Sequence, residues 1–171
     1  MLSIKNFEIY SAQNIINPEE ASLLIKKLKE KEKTTGLCCG KYDLLHPGHI
    51  LHFNSAKKLC DYLFIAITSD RIIQNRGNLN RPVIPEQLRA YMISNIKSID
   101  YVLIYDEETC ENTIRKLKPN FYIKGPFCIN ENSDLINPER QAIKGVGGEI
   151  KYTLDEILST TDIINYIKKN L

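Results

Sequence analysis

The chain alternates short apolar runs with longer segments in which apolar residues recur every three to four positions. The apolar runs predict five β-strands, at residues 34–39, 62–68, 101–105, 121–124 and 149–153. The run at 62–68 is uninterrupted, which is typical of a strand buried on both faces of a parallel sheet. The segments between them predict helices at 47–61, 85–97, 107–117, 137–144 and 160–169, and the polar stretch 71–82 predicts a loop. This alternation predicts an α/β fold, a Rossmann-like, doubly wound parallel sheet of about five strands with helices on both faces.

A further helix is predicted ahead of the first strand. Asn17 and Pro18, followed by the acidic residues Glu19 and Glu20, form a helix start with Asn17 as the N-cap. Apolar residues then recur at helical spacing to about residue 33. We therefore expect residues 1–33 to be an N-terminal segment and helix packed on a single domain, residues 34–171.

Composition and charge exclude several classes of function. The net charge is only +2, so the chain has no bulk attraction for nucleic acid or for a membrane surface. No apolar run approaches the roughly 18 residues of a membrane span, and Lys5 and Glu8 interrupt the N-terminus, which therefore does not resemble a secretory signal. The five cysteines are an odd number without a Cys-x-x-Cys pair, and they predict reduced thiols in a cytoplasmic protein.

All three histidines of the chain lie between positions 46 and 52, just after the first predicted strand. Gly40 ends that strand and lets the backbone come close to a ligand. Pro47 and Gly48 open the next helix, so His46 stands at its entrance and His49 one turn later. The free N–H groups and positive dipole end of the helix face the crevice beyond the strand ends. Two imidazoles at this point can donate hydrogen bonds to a phosphate and to the charge that develops during phosphoryl-type transfer.

The segment 40–49, GKYDLLHPGH, matches the pattern G-x-[FY]-D-x-x-H-x-G-H and resembles the cytidylyltransferase-like nucleotidyltransferases. Within that superfamily the chain is most similar to the adenylyltransferase part of ADP-heptose synthesis proteins. The similarity includes the leading helix and four further segments: Arg81-Pro82-Val83, Lys124-Gly125, Gly147-Gly148-Glu149 and Ser159-Thr160-Thr161.

The resemblance implies that a sugar-phosphate oxygen attacks the α-phosphate of ATP or CTP and releases pyrophosphate, with Mg²⁺ neutralising the phosphates. It implies catalytic roles for His46, His49 and Arg89. The implied nucleotide-binding residues are Gly40, Lys41, Tyr42, Asp43, Gly48, Lys124, Gly125, Ser159, Thr160 and Thr161. The implied substrate-binding residues are Asp70, Arg81 and Phe127. The resemblance also implies a homodimer, with ATP or CTP and a small phosphorylated substrate as the ligands and no metal held by the protein itself.

The chain departs from the family pattern at two positions that concern the acceptor. Lys41 replaces a small or neutral residue, and Phe127 stands where an acidic residue is common after Lys124-Gly125. One alternative is therefore a nucleotide-binding module without turnover. Another is a glycerol-3-phosphate cytidylyltransferase, although the arginine of the R-T-E-G-I-S-T-T ending of those enzymes is absent here.

Individual residues also have plainer interpretations. The His-x-x-His-x-x-His spacing contains possible zinc ligands, but no carboxylate or thiol completes a set. Asp70 is equally interpretable as a helix cap, and Lys57 as a solvated helix lysine. His52 is expected to pack or to face solvent, without a role.

Overall fold

Five parallel strands form one sheet in the part of the chain that the computed structural model describes, residues 8–76, 81–129, 136–155 and 159–170. The strands are β1 (Thr35–Gly40), β2 (Tyr62–Thr68), β3 (Tyr101–Tyr105), β4 (Phe121–Lys124) and β5 (Glu149–Tyr152). The helices are α1 (Pro18–Glu30), α2 (Pro47–Lys57), α3 (Asp70–Asn75), α4 (Glu86–Ser94), α5 (Glu111–Leu117), α6 (Ile136–Gly145) and α7 (Thr160–Asn170). A 3₁₀ turn at Pro126–Cys128 follows β4.

The spatial order of the strands is β3-β2-β1-β4-β5, and each neighbouring pair is parallel. The chain runs outward from β1 to β3 and then returns to the other side of β1 for β4 and β5. This reversal makes the space beyond the ends of β1 and β4 a switch point, where ligands of open parallel sheets bind. The predicted doubly wound α/β fold is confirmed.

Apolar side chains of alternating strand residues form one core on each face of the sheet. Leu37 and Phe64 face the first core, with residues of α1, α5 and α6. Cys38 and Ile65 face the second core, with residues of α2 and α4. Six of the seven residues of β2 are buried, as expected for a central strand covered by helices on both sides.

The N-terminal helix α1 forms as its sequence predicts. The Asn17 side chain accepts from the Glu20 N–H at 2.8 Å, and the Glu20 carboxylate accepts from the Asn17 N–H at 3.0 Å, which is a capping box. Ala21, Ile25 and Leu28 are buried in the first core. The division into residues 1–33 and 34–171 stays a prediction, and residues 1–7 lie outside the described part.

Three elements differ from the sequence prediction by more than three residues. The stretch 71–82 was expected to be a loop, but α3 occupies its first part because Ser69 caps this helix and Ile72 and Ile73 are buried; residues 77–80 are not described. Helix α2 ends at Lys57, because Asp61 accepts from Thr34 at the start of β1. Helix α5 begins at Glu111, because Glu107 lies outside it and accepts from the Asn112 N–H at 3.1 Å.

The expectation of five reduced cysteines is wrong. Cys39, near the end of β1, forms a disulfide with Cys110, the residue before α5. The fold joins positions that are 71 residues apart, so no local spacing could signal the pair. Cys38, Cys60 and Cys128 are free. Among the described helices, none has the length and apolar character that a membrane crossing needs.

Candidate active site

A cavity of about 620 Å³ lies beyond the carboxyl ends of the strands. Most residues that the sequence predicted for the site line it: Gly40, Lys41, Tyr42, Asp43, His46, Gly48, His49, Arg81, Lys124, Gly125, Phe127, Thr160 and Thr161. Three predicted residues do not lie in its wall: Asp70, Arg89 and Ser159. The volume is within the range of small-molecule sites.

His46 and His49 stack on each other at the entrance of α2. Their ring centroids are 3.7 Å apart with an angle of 22° between the planes, and His46 is the N-cap residue. The Nδ1 atoms of both rings are buried without a hydrogen-bond partner. Burial lowers the pKa of His46, and burial together with the neighbouring histidines lowers the pKa of His49 to about 3. Both rings are therefore neutral at pH 7, and each offers one N–H donor to a ligand.

The Tyr42 ring packs against the histidine pair. Its ring is buried and meets the His49 ring edge-on at 5.3 Å and the Phe53 ring at 5.2 Å. The backbone at Tyr42 is left-handed, with φ of 49°. A Cβ added at Gly40 would approach the Tyr42 ring to 2.8 Å. The Tyr42 ring can therefore pack against His49 because residue 40 is a glycine and has no Cβ.

Asp43 holds the segment 81–84 against the cavity. Its carboxylate accepts from Arg81 Nη1 at 2.5 Å, from the Val83 N–H at 2.6 Å and from the Ile84 N–H at 3.1 Å. These bonds join the 40–49 motif to the Arg-Pro-Val segment. The resemblance implied that Asp43 lies near the transferred groups, and the structure places it at the cavity with its oxygens already engaged.

Arg89 and Asp70 do not lie in the cavity wall, and the catalytic role of Arg89 and the substrate-binding role of Asp70 stay predictions. The Arg89 side chain is 0% exposed and donates to Ile84 O at 3.0 Å, to Thr68 O at 2.9 Å, to Lys41 O and to Asp70 Oδ1 at 2.7 Å. It thereby ties the ends of β1 and β2 together. Asp70 Oδ2 accepts from the Glu86 N–H at 3.1 Å, at the start of α4. The helix that Asp70 itself begins is capped by Ser69, so the interpretation of Asp70 as the cap of the following segment is wrong.

On the β4 side, a buried carboxylate holds Lys124. Glu139 of α6 accepts from Tyr122 Oη at 2.7 Å, from the Cys110 N–H at 3.0 Å and from Lys124 Nζ at 3.2 Å. Glu139 lines the cavity, and sequence reasoning missed it because its partners come from two distant segments, β4 and the residue before α5. Phe127 stands at the rim with 67% of its surface exposed.

His52 was expected to have no role, but it lines the cavity one turn beyond His49. Its Nδ1 lies 2.8 Å from Thr153 Oγ1, and burial lowers the pKa of His52 to about 4. Ser55, also on α2, donates to Asp155 Oδ1 at 2.7 Å, while Asp155 Oδ2 is buried without a partner. The three-residue spacing of the histidines, which places them on one helix face, was the available signal.

The N-terminus of α7 meets that of α2 at the cavity. Ser159 and Asp162 cap α7: the Asp162 N–H donates to Ser159 Oγ at 3.1 Å, and Ser159 Oγ donates to Asp162 Oδ2 at 2.6 Å. Thr160 Oγ1 donates to Leu44 O at 3.3 Å, just before α2. Two helix N-termini, one of them carrying a pair of imidazoles, form an anion-binding arrangement suited to phosphate.

The zinc alternative finds no ligand set in the described parts of the chain. No three His, Cys, Asp or Glu side chains converge there as metal ligands do. His46 and His49 stack face to face, and His52 pairs with a threonine hydroxyl instead.

A cavity at the switch point of a parallel sheet, with paired imidazoles and two helix N-termini, defines a nucleotide-binding α/β protein of the nucleotidyltransferase class. The model of the cytidylyltransferase-like family matches residues 37–166, and the chain belongs to this family. The predicted resemblance is confirmed.

Curated relatives agree with this assignment. The bifunctional protein HldE of Campylobacter fetus is 37% identical over 139 residues, covering 80% of this chain and 28% of the relative. HldE of Psychromonas ingrahamii is 28% identical over 167 residues, covering 95% and 34%. The chain thus spans about a third of the length of these relatives.

Two solved structures share the fold. A lipopolysaccharide core biosynthesis protein from Thermoplasma volcanium superposes with a TM-score of 0.59 at 24% identity, covering 74% of this chain and 99% of that one. A pantoate-beta-alanine ligase from Francisella tularensis has a TM-score of 0.60 at 18% identity, covering 92% and 77%. At these identities the likeness shows the fold alone.

Proposed function

We propose that the protein transfers a nucleoside monophosphate from ATP or CTP to a sugar phosphate such as heptose 1-phosphate and releases pyrophosphate. The observation that carries the proposal is the stacked pair of imidazoles, with buried unpartnered Nδ1 atoms, at the N-terminus of α2, where the first turn of α7 meets it. The similarity to HldE supports ATP and a heptose phosphate over the other pairs.

In the proposed reaction an oxygen of the acceptor phosphate attacks the α-phosphorus of the triphosphate. A new P–O bond forms, the bond to the β-phosphate oxygen breaks, and pyrophosphate leaves with the electron pair. The attacking phosphate is already ionised at neutral pH, so the reaction needs positioning and charge stabilisation rather than a strong base. His46 and His49 donate hydrogen bonds to the charge that develops, and the two helix N-termini hold the phosphates.

Mg²⁺ would enter with the triphosphate, as part of the substrate. The cavity fits such a cation, because Asp155 presents a buried carboxylate oxygen without a partner, and Mg²⁺ prefers oxygen ligands. When bound, the ion supplies charge neutralisation on the phosphates.

The test combines the protein, Mg²⁺, either ATP or CTP, and a panel of heptose 1-phosphate, glycerol 3-phosphate and other sugar phosphates, with pyrophosphate release as the readout. We expect release with ATP and a sugar 1-phosphate. Calorimetry measures triphosphate binding in parallel. Binding without release for every pair contradicts the proposal and leaves a nucleotide-binding module.

A further inference from the structure

A buried carboxylate lies in the wall of the cavity in which the proposed reaction places a polyanionic triphosphate. Glu139 of α6 lines this cavity, and its side chain is only 8% exposed. A carboxylate in this position repels phosphates, and burying a charge is itself unfavourable unless the charge is paired. Glu139 therefore opposes the ligand unless it acts on the ligand through a neighbouring group.

Hydrogen bonds to both oxygens fix the orientation of the Glu139 carboxylate. Oε1 accepts from the Cys110 N–H at 3.0 Å, and Oε2 accepts from Tyr122 Oη at 2.7 Å. Tyr122 is fully buried, and burial together with the charge of Glu139 raises the pKa of its hydroxyl well above the ordinary value. The hydroxyl therefore stays protonated and donates to the carboxylate. Because Cys110 precedes α5 and Tyr122 lies on β4, the carboxylate is held from two separate elements.

Glu139 in turn holds the ammonium group of Lys124. Lys124 Nζ donates to Glu139 Oε2 at 3.2 Å and to Tyr122 Oη at 3.3 Å, and it lies 5.2 Å from the centroid of the Tyr122 ring. Tyr122 and Lys124 are alternate residues of β4, so their side chains leave the same face of the strand. Lys124 also lines the cavity. Its ammonium group is thus fixed at the cavity surface instead of moving freely on a flexible stem.

Lys124 lies on the side of the cavity where the histidines are. Its carbonyl accepts from the Thr153 N–H at 2.9 Å, and Thr153 Oγ1 lies 2.8 Å from Nδ1 of His52. After burial, the positive charge of Lys124 is what lowers the pKa of His52. His52 is one turn beyond His49 on α2, so the fixed ammonium group is near the site that we propose for the triphosphate.

We propose that Glu139 is a positioning residue, which holds the ammonium group of Lys124 in place to bind the triphosphate. This inference rests on the proposed function, in which a triphosphate occupies the cavity. A cation that is already in position needs no reorganisation when the ligand binds or reacts. Since the charge of Glu139 is paired with that of Lys124, its repulsion of the phosphates is the smaller effect. Removing the carboxylate should therefore weaken triphosphate binding, although the cavity becomes less negative.

The test is a double-mutant cycle of Glu139→Gln and Lys124→Met, with calorimetry of ATP and, in parallel, of CTP, both with Mg²⁺. Glutamine keeps the size of the side chain and an oxygen that accepts from the Cys110 N–H. We expect each single variant to bind the triphosphate about tenfold more weakly, as for the loss of a charged hydrogen bond. The double variant should bind no more weakly than Lys124→Met alone, because Glu139 acts through Lys124. Glu30→Gln, at an exposed position of α1, is the matched control.

Two outcomes would overturn the positioning role. One is a Glu139→Gln variant that binds the triphosphate as tightly as the wild type or more tightly, which means that the carboxylate only opposes the ligand. The other is a set of losses that add in the double variant, as a merely structural role predicts. Urea unfolding checks that the variants are folded. Tyr122→Phe is the second variant, because it removes only the hydroxyl that bonds to both partners. We expect it to weaken binding about two- to fivefold, and to have no effect in the Lys124→Met background.

Pyrophosphate release from the same proteins separates this inference from the proposed function. If the losses of triphosphate affinity are coupled as expected but no acceptor gives pyrophosphate, the positioning role of Glu139 stands and the proposed reaction fails. If the wild type releases pyrophosphate and Glu139→Gln changes neither kcat nor the KM for the triphosphate, the reaction stands and the positioning role fails. A wild type that binds neither ATP nor CTP would overturn both.

Discussion

Two groups of polar side chains near the cavity differ in how completely they are satisfied. His46 and His49 leave buried nitrogen atoms without partners and face the cavity. Arg89 and Asp70 are joined to each other and to main-chain groups around them, and neither lies in the cavity wall. Buried polar groups normally find partners. The difference is what the proposed function predicts, with an unsatisfied pair left for the ligand and a satisfied pair that holds the framework.

The largest expected effect is on stability, at Arg89. Arg89→Met leaves the Asp70 carboxylate and the carbonyls of Lys41, Thr68 and Ile84 without their donor. Breaking a buried ion pair from one side costs about 3–5 kcal/mol. We expect urea unfolding to show a loss of this size. A stable variant with reduced kcat would instead make Arg89 a direct contact of the substrate and would break the comparison.

His49 should show the opposite behaviour. His49→Asn removes an imidazole from the proposed phosphate site, and loss of one such donor typically lowers kcat about 100- to 1000-fold. The free energy of unfolding should fall much less than in Arg89→Met, because the variant loses ring packing but no hydrogen bond through the buried Nδ1. Asn54→Ala, at an exposed position of the same helix, is the control. Equal losses of stability in the His49 and Arg89 variants would contradict the distinction.

Removing the disulfide should have an intermediate effect on the free energy of unfolding. Cys39 and Cys110 close a loop with a sequence separation of 71, and removing such a link costs about 2–4 kcal/mol. Thiol titration of the unfolded, unreduced protein should find three free cysteines. We expect Cys110→Ser to lower the urea midpoint, with Cys60→Ser as the control. Finding five titratable thiols would show that Cys39 and Cys110 do not form a disulfide.

The smallest expected effect is the pH dependence of stability. The pKa of His49 is about 3 in the folded protein, against an ordinary value of 6.5, so the unfolded chain binds the proton more readily. The free energy of unfolding is therefore unaffected by this group above about pH 6.5. It falls as the pH is lowered, by about 2 kcal/mol at pH 5. Unfolding at pH 7.5 and pH 5 should therefore show a smaller loss for His49→Asn than for the wild type. Identical losses would mean that the ring is accessible to protons in the folded state.

The features of the fold and of the site that depend on a local sequence pattern could be predicted. The strands follow from short apolar runs, and the 40–49 segment identifies the family and places His46 and His49, because periodicity and motifs are written within a few consecutive residues. Sequence reasoning missed contacts between distant segments, such as Glu139 with Lys124 and Cys39 with Cys110. Arg89 shows the same limit, because the resemblance implied a catalytic role, whereas only the fold shows its fully buried side chain bonded to three carbonyl groups and to Asp70.

The last helix has a thermodynamic consequence. None of the described residues of α7 is buried, yet its first turn supplies Thr160 and Thr161 to the cavity. A phosphate bridging the N-termini of α2 and α7 would therefore bind to the docked helix more tightly than to a detached one. Ligand affinity and the docking of α7 are then thermodynamically linked. A bound triphosphate would stabilise the docked position of α7.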